Sequence, residues 1–276
     1  MRGLGIPVLM YHALVAQPQP GTNPVHIAVR LFEQHLAWLH AQGYEVITVA
    51  ELYNKLIEKS IENKLSDCVV VLTFDDGYQS LVAHAAPILK KYGFVATLFL
   101  TTDFVGMSEF PGAFAHAVPL GDRPLTWSEI EALQASGWDI QAHSCSHRFH
   151  AALPTAQLQV EFEGSKHLIY NKINKNSEFY AFPYGSYDGR ALRVLLDTGY
   201  RAGFSVHGGP ARSGSDLRRL PRIEVNTNCT LPVFEKLVRT GYASAAEKYR
   251  ARLRDALFYF PAVKDALHKV FAGVIN

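Results

Sequence analysis

The stretch Cys68-Val69-Val70-Val71-Leu72-Thr73-Phe74 constrains this chain more than any other, because it is a continuous β-branched run that ends directly in Asp75-Asp76-Gly77. Such a run suits a strand buried on both faces, as in parallel sheets covered by helices. The rest of the chain follows the same plan. Short apolar runs at Ile6–Tyr11, Glu45–Thr48, Phe94–Thr101, Trp138–His143, Phe179–Phe182, Tyr200–Ser205 and Leu220–Val225 alternate with stretches of helical period. Those stretches lie at Arg30–Gln42, Val49–Lys59, Tyr78–Tyr92, Trp127–Ser136, Thr155–Asn174 and Asp188–Thr198; Thr126 precedes the fourth as a predicted N-cap, with Glu129 placed for a capping box. The alternation predicts a parallel-stranded α/β fold. A length of 276 residues with 48% hydrophobic and 19% charged side chains excludes disorder and suits one α/β unit with additions.

Twenty-seven Lys and Arg against 25 Asp and Glu leave a net charge of +2, too balanced for a protein that coats nucleic acid. Cys68, Cys145 and Cys229 are too few and too scattered for a disulfide framework. The N-terminal apolar run is cut by Gly5 and Pro7 and reads as a strand, not a signal peptide, and no apolar stretch reaches the ~18–20 residues of a membrane span. A cytoplasmic or membrane-peripheral location is therefore expected, although a secreted chain trimmed of its leader would read the same. Residues 1–242 are read as the main unit and 243–276 as a helical C-terminal extension, which either packs on that unit or touches a membrane surface or a partner. Gln17–Pro24 and Gly106–Pro124 read as long loops with a functional or mobile role.

Parallel α/β folds carry their chemistry at the C-terminal ends of strands, and four motifs fall there. Asp75 and Asp76 end the buried run, so in a following turn one carboxylate could hold a metal ion while the other stays free as a base, although Asp-Asp-Gly also makes an ordinary polar turn. His143-Ser144-Cys145-Ser146-His147 follows another strand and could bring two imidazoles to one ion, either as a helical turn or as a folded-back loop. Cys145 between them is read as buried or neutral. Pro183-Tyr184-Gly185 forms a stiff turn that could aim the Tyr184 N–H at a developing oxyanion. Tyr11-His12 ends the first strand, where a histidine serves either as a structural group or as a catalyst.

Taken together, Thr73-Phe74-Asp75-Asp76-Gly77, His143-Ser144-x-x-His147, Phe182-Pro183-Tyr184-Gly185 and Val8-Leu9-Met10-Tyr11-His12 resemble the polysaccharide deacetylases of the NodB homology group, carbohydrate esterase family 4, over about residues 5–226. The order is similar to that of the permuted members acting on poly-N-acetylglucosamine. The resemblance implies a deformed (β/α)7 barrel that removes N- or O-acetyl groups from a glycan with a divalent metal ion, usually zinc. It implies Asp75 as general base, Asp76, His143 and His147 as metal ligands, and the Tyr184 backbone amide as an oxyanion donor. His12 takes the place of the general acid, with His207 as competitor. Where many members carry an arginine that orients the base, this chain has Ala181; Arg222 is the expected replacement, unless it merely pairs with Glu224 or meets solvent. Phe104, Phe110, Phe114 and Trp127 are expected either to stack on sugar rings or to belong to the core. Two other readings stay open: a hydrolase of small cyclic amides or imides, and a catalytically silent carbohydrate-binding protein.

Overall fold

The computed structural model describes residues 5–18, 22–58, 68–112, 118–119 and 121–259. Ten strands occur among them: β1 (Val8–Tyr11), β2 (Leu14–Val15), β3 (Ile27–Ala28), β4 (Glu45–Ile47), β5 (Val69–Asp76), β6 (Thr97–Leu100), β7 (Asp139–Ala142), β8 (Phe179–Ala181), β9 (Ala202–Phe204) and β10 (Ile223–Glu224). Eight α-helices accompany them among the described residues: α1 (Val29–Ala41), α2 (Val49–Ile57), α3 (Ala86–Tyr92), α4 (Trp127–Ala135), α5 (Thr155–Ile173), α6 (Gly189–Asp197), α7 (Leu231–Thr240) and α8 (Ala245–Tyr259). All pairings between the main-sheet strands are parallel, in the order β10-β1-β5-β6-β7-β8-β9, with β4 against the first half of β5. This is a curled, open (β/α) barrel in a single domain, as the alternation predicts. β2 and β3 form a separate parallel pair that flanks residues 19–21.

Residue parity along the strands sorts side chains into two apolar layers. Val70, Leu72 and Phe74 of β5, Leu98 and Leu100 of β6, and Ile140 and Ala142 of β7 belong to the large core beneath the outer helices. Val69 and Val71 of β5, Phe99 of β6, Phe179 and Ala181 of β8, and Phe204 of β9 fill a smaller core inside the curl. Continuing the second parity beyond the apolar filling reaches Thr73 and Asp75 on β5, Gln141 and then His143 on β7, and Met10 and then His12 on β1. The inward layer therefore changes from hydrocarbon to ionisable groups toward the strands' C-terminal ends.

Three boundaries differ from the sequence reading, each for a local reason. β5 runs through Asp76, so both carboxylates sit on the strand and not in the turn beyond it. The helix expected from Tyr78 starts with a π-turn, Leu81–Ala85, and is α-helical only from Ala86. Helix α7 and its contacts have no counterpart in the sequence reading; its apolar residues Phe234, Leu237 and Val238 pack into the large core. The capping box before α4 is present, with the Glu129 N–H donating to Thr126 Oγ1 and the Thr126 N–H to Glu129 Oε2. Of the C-terminal extension, α8 is described, whereas residues 260–276, like Phe114 of the Gly106–Pro124 loop, lie outside the described residues. Among the described residues no helix is long and apolar enough to cross a membrane.

Candidate active site

Neighbouring residues of a strand point to opposite faces, yet Asp75 and Asp76 both line one cavity of about 360 Å³ at the barrel mouth. Backbone conformation explains this. Asp76 has φ of 74°, a left-handed value that breaks the alternation and turns its carboxylate back toward the side that Asp75 occupies. Among the described residues, five that are not glycine have positive φ; three of them, Asp76, His147 and Tyr184, line this cavity, and a fourth, Ser144, follows the lining residue His143. Strained backbone of this kind persists only where the surrounding structure holds it, and it concentrates at functional sites.

The loop after β7 folds back on itself, with Ser144 and His147 left-handed, and so settles the open choice between helical turn and folded loop. Glu161 of α5 holds it there: one carboxylate oxygen accepts from the Cys145 and Ser146 N–H groups at 2.9 Å each, and the other accepts from the Ser146 hydroxyl. The His147 N–H donates to Ser144 Oγ at 2.9 Å, closing the turn. Glu161 had no signal in the sequence beyond being a polar residue on a helix. Burial and nearby carboxylates push the Cys145 thiol up to about 12, so it stays neutral between the two histidines.

Asp76, His143 and His147 are all buried, and each offers one ligand atom within 4.8 Å of the others, so together they could hold a metal ion. Asp76 Oδ1 lies 3.1 Å from His147 Nε2 and 3.5 Å from His143 Nε2 but accepts a hydrogen bond from neither. A buried carboxylate oxygen left so is costly unless something else completes it. His143 Nδ1 stands 2.8 Å from the Ala181 carbonyl oxygen. A carbonyl only accepts, so the proton is on Nδ1 and the Nε2 lone pair faces Asp76, the arrangement in which imidazole ligates metal. Burial pushes His143 down to about 4, which keeps it neutral, and the residues present fit a divalent cation.

Asp75 is held differently. Arg222, 0% exposed, grips both its oxygens, Nη1 to Oδ1 at 2.6 Å and Nη2 to Oδ2 at 2.7 Å, while Arg222 Nε donates to the Ser205 carbonyl at 3.1 Å. Burial alone would raise the Asp75 pKa; the Arg222 guanidinium and His143 outweigh it and hold the carboxyl below its ordinary value. Arg222 thus sits on the base candidate as expected in place of Ala181, and the alternative pairing with Glu224 is not observed; the Glu224 carboxylate instead accepts from Asn226 Nδ2.

His12 lines the same cavity as the two aspartates. His207 does not; it pairs with the Tyr187 hydroxyl at 3.1 Å and opens onto a different hollow beside Arg212 and Asp216. Tyr184 lines the cavity from a turn whose own hydrogen bonds are made by the Gly185 and Ser186 N–H groups, to Phe182 and Pro183. Phe104 and Phe110 are buried and present no face for stacking, whereas Trp127 is partly buried and packs against the core.

Residues 62–203 match the family model described as polysaccharide deacetylase. The chain is 29% identical over 229 residues to YxkH of Bacillus subtilis, covering 83% of this chain and 74% of that one. It is 28% identical over 219 residues to the poly-beta-1,6-N-acetyl-D-glucosamine N-deacetylase of Staphylococcus epidermidis, covering 75% and 69%. Its fold is similar to that of the Streptococcus pyogenes deacetylase PplD solved in complex with acetate, with TM-score 0.74 and 26% identity over 87% of this chain and 99% of that one. The open parallel barrel, the buried carboxylates and histidines at its mouth and a match spanning more than half of the sequence agree: this chain belongs to the polysaccharide deacetylase family.

Proposed function

We propose that the protein hydrolyses N-acetyl groups from a glycan containing N-acetylglucosamine, using a divalent cation, in first place zinc, held by Asp76, His143 and His147. One observation carries the reading: a single cavity gathers a three-ligand cluster, a carboxylate paired to a buried arginine and an unengaged imidazole nitrogen, His12 Nδ1. The poly-N-acetylglucosamine activity named for the staphylococcal relative supports the choice of glycan.

A cation at that cluster would supply Lewis acidity, polarising the acetyl carbonyl and bringing the pKa of adjacent water to about 7. The residues around it divide the remaining work. Asp75, held below its ordinary pKa by Arg222, is a weak base toward bulk water and suits one whose acidity has been raised; it takes that water's proton as the oxygen attacks the acetyl carbon. The Tyr184 N–H stabilises the oxyanion that develops. His12, in its protonated form, delivers a proton to the sugar nitrogen as the C–N bond breaks, since an unprotonated amide nitrogen is a very poor leaving group. Acetate and an amino sugar result. Arg222 keeps both oxygens of Asp75 in one orientation.

The test is acetate release from N-acetylglucosamine oligomers by metal-loaded and chelator-stripped protein, with metal content measured alongside. Release that depends on the loaded ion supports the reading. Bound oligomer without release would favour a silent carbohydrate-binding protein, and turnover of cyclic imides alone would move the substrate class. His12→Ala should lose amide hydrolysis while retaining some activity on acetyl esters with good leaving groups; full activity on both would remove His12 from the acid role.

A further inference from the structure

Two aromatic rings at the cavity rim are not packed away. Phe149 is 55% exposed and Tyr184 is 51% exposed, yet they stack on one another with centroids 4.0 Å apart and planes within 9°. Single exposed apolar side chains are ordinary. A fixed, solvent-facing pair is not, and here both rings are held from below. The Ala151 N–H donates to Ser186 Oγ at 3.2 Å, tying the segment after Phe149 to the turn that carries Tyr184. Arg190, at the start of α6, donates to the Leu153 and Ala151 carbonyls at 3.0 and 3.1 Å. Tyr184 itself keeps a left-handed φ of 57°, and its ring meets the His147 ring edge-on at 4.5 Å. Backbone strain and hydrogen bonds are thus spent on presenting rings to solvent, which is what a preorganised binding surface requires.

We propose that the Phe149–Tyr184 stack is a sugar subsite that receives the pyranose ring adjoining the unit whose acetyl group is hydrolysed. The proposal rests on the deacetylase reading above and names where the rest of the glycan lies. A pyranose presents an apolar face of C–H bonds with hydroxyls around its rim, and those hydrogens are attracted by the negative face of an aromatic ring. Tyr184 already lines the cavity, and Phe149 stands one ring farther out, so the platform begins where the reacting sugar must leave the cavity for solvent. Glycan-sized occupants, not isolated acetyl groups, reach it. It therefore predicts a preference for longer chains.

Phe149→Ala and Phe149→Trp are the variants of choice, because Phe149 touches none of the reacting groups. For oligomers of increasing length, Phe149→Ala should raise KM on the longest by about tenfold, the size of one lost aromatic contact, with kcat within about twofold and the shortest substrate unaffected. Phe149→Trp should restore the wild-type KM. Binding of the fully deacetylated oligomer, followed by calorimetry, reads the platform without turnover, and Phe149→Ala should weaken it by the same factor. A wild-type protein that binds the oligomer but releases no acetate would overturn the deacetylase reading and leave the platform standing. Unchanged KM and unchanged binding in Phe149→Ala would overturn the platform alone, and if self-association were lost instead, the face would belong to an interface between copies.

Discussion

His143 and His35 are both buried histidines with a ring nitrogen at 2.8–2.9 Å from a backbone carbonyl, and burial pushes both down to about 4. One lies at the barrel mouth, the other between α1 and α7, where its ring stacks on Phe234 at 3.9 Å and Nε2 meets the Cys229 carbonyl. What separates them is the company of the remaining nitrogen. His143 Nε2 faces Asp76, Asp75 and a cavity. His35 has a flat aromatic partner and a carbonyl, and it joins two helices. A lowered pKa marks burial; convergence of several ionisable groups on one open space marks a site.

Breaking the mouth and sparing the helix contact should separate the two regions by orders of magnitude. Asp75→Asn is expected to lower kcat by about 10³-fold while leaving metal content close to wild type, and to lower stability as well, because the buried Arg222 loses its counter-charge and the amide can accept only one of its two hydrogen bonds. Near-normal kcat would remove Asp75 from the base role. Arg222→Met leaves the Asp75 carboxylate buried without its partner and should cost about 3–5 kcal/mol in chemical denaturation, the penalty for an unpaired buried charge. A loss below about 1 kcal/mol would mean that water reaches Asp75 in its place.

His35 sharpens the contrast through pH. Its folded pKa of about 4 lies under the ordinary 6.5, so between those values the unfolded chain binds the proton more readily than the folded one. Its contribution is complete above about pH 6.5 and declines as pH falls toward 4, by about 3 kcal/mol for one fully buried histidine. His150, also lowered to about 4, adds to the same slope. His35→Phe keeps the stack on Phe234 and should make stability between pH 6.5 and 4 less pH-dependent than in the wild type, at a loss of about 1 kcal/mol near neutrality for the hydrogen bond. An unchanged slope in denaturation series would show that water reaches this ring. The smallest effect is expected at Glu161: Glu161→Gln weakens the grip on the loop between His143 and His147 and, on the proposed metal site, should lower divalent-ion affinity by about tenfold in chelator competition. Equal affinity would show that the left-handed turn at Ser144 and His147 holds its shape unaided.

Much of the mouth was legible because strand parity carries side chains to a predictable face. Asp75 shares parity with Thr73 and Val71, and His12 with Met10 and Val8, so their meeting at one end needed only the order of strands. The capping box at Thr126 and Glu129 was equally readable, being contained within four residues. Arg222 was anticipated as a partner for Asp75 only through family resemblance, since the two are 147 positions apart and the alternative with Glu224 was nearer in sequence. Phe104, Phe110 and Trp127 look in sequence as available for sugar as Phe149 does. Burial alone distinguishes them: it takes up Phe104 and Phe110 and covers part of Trp127.

The sequence by itself determined the alternation of strand and helix, the buried run of β5 and the ionisable residues at strand ends, because hydrophobic period and local chemistry act over a few residues. Only the tertiary structure decided that Asp76 turns back to join Asp75, that Glu161 clamps the histidine loop and that His12 rather than His207 opens onto the cavity. Each of these depends on backbone conformations and contacts that distant segments enforce, against local preference, once the sheet has curled.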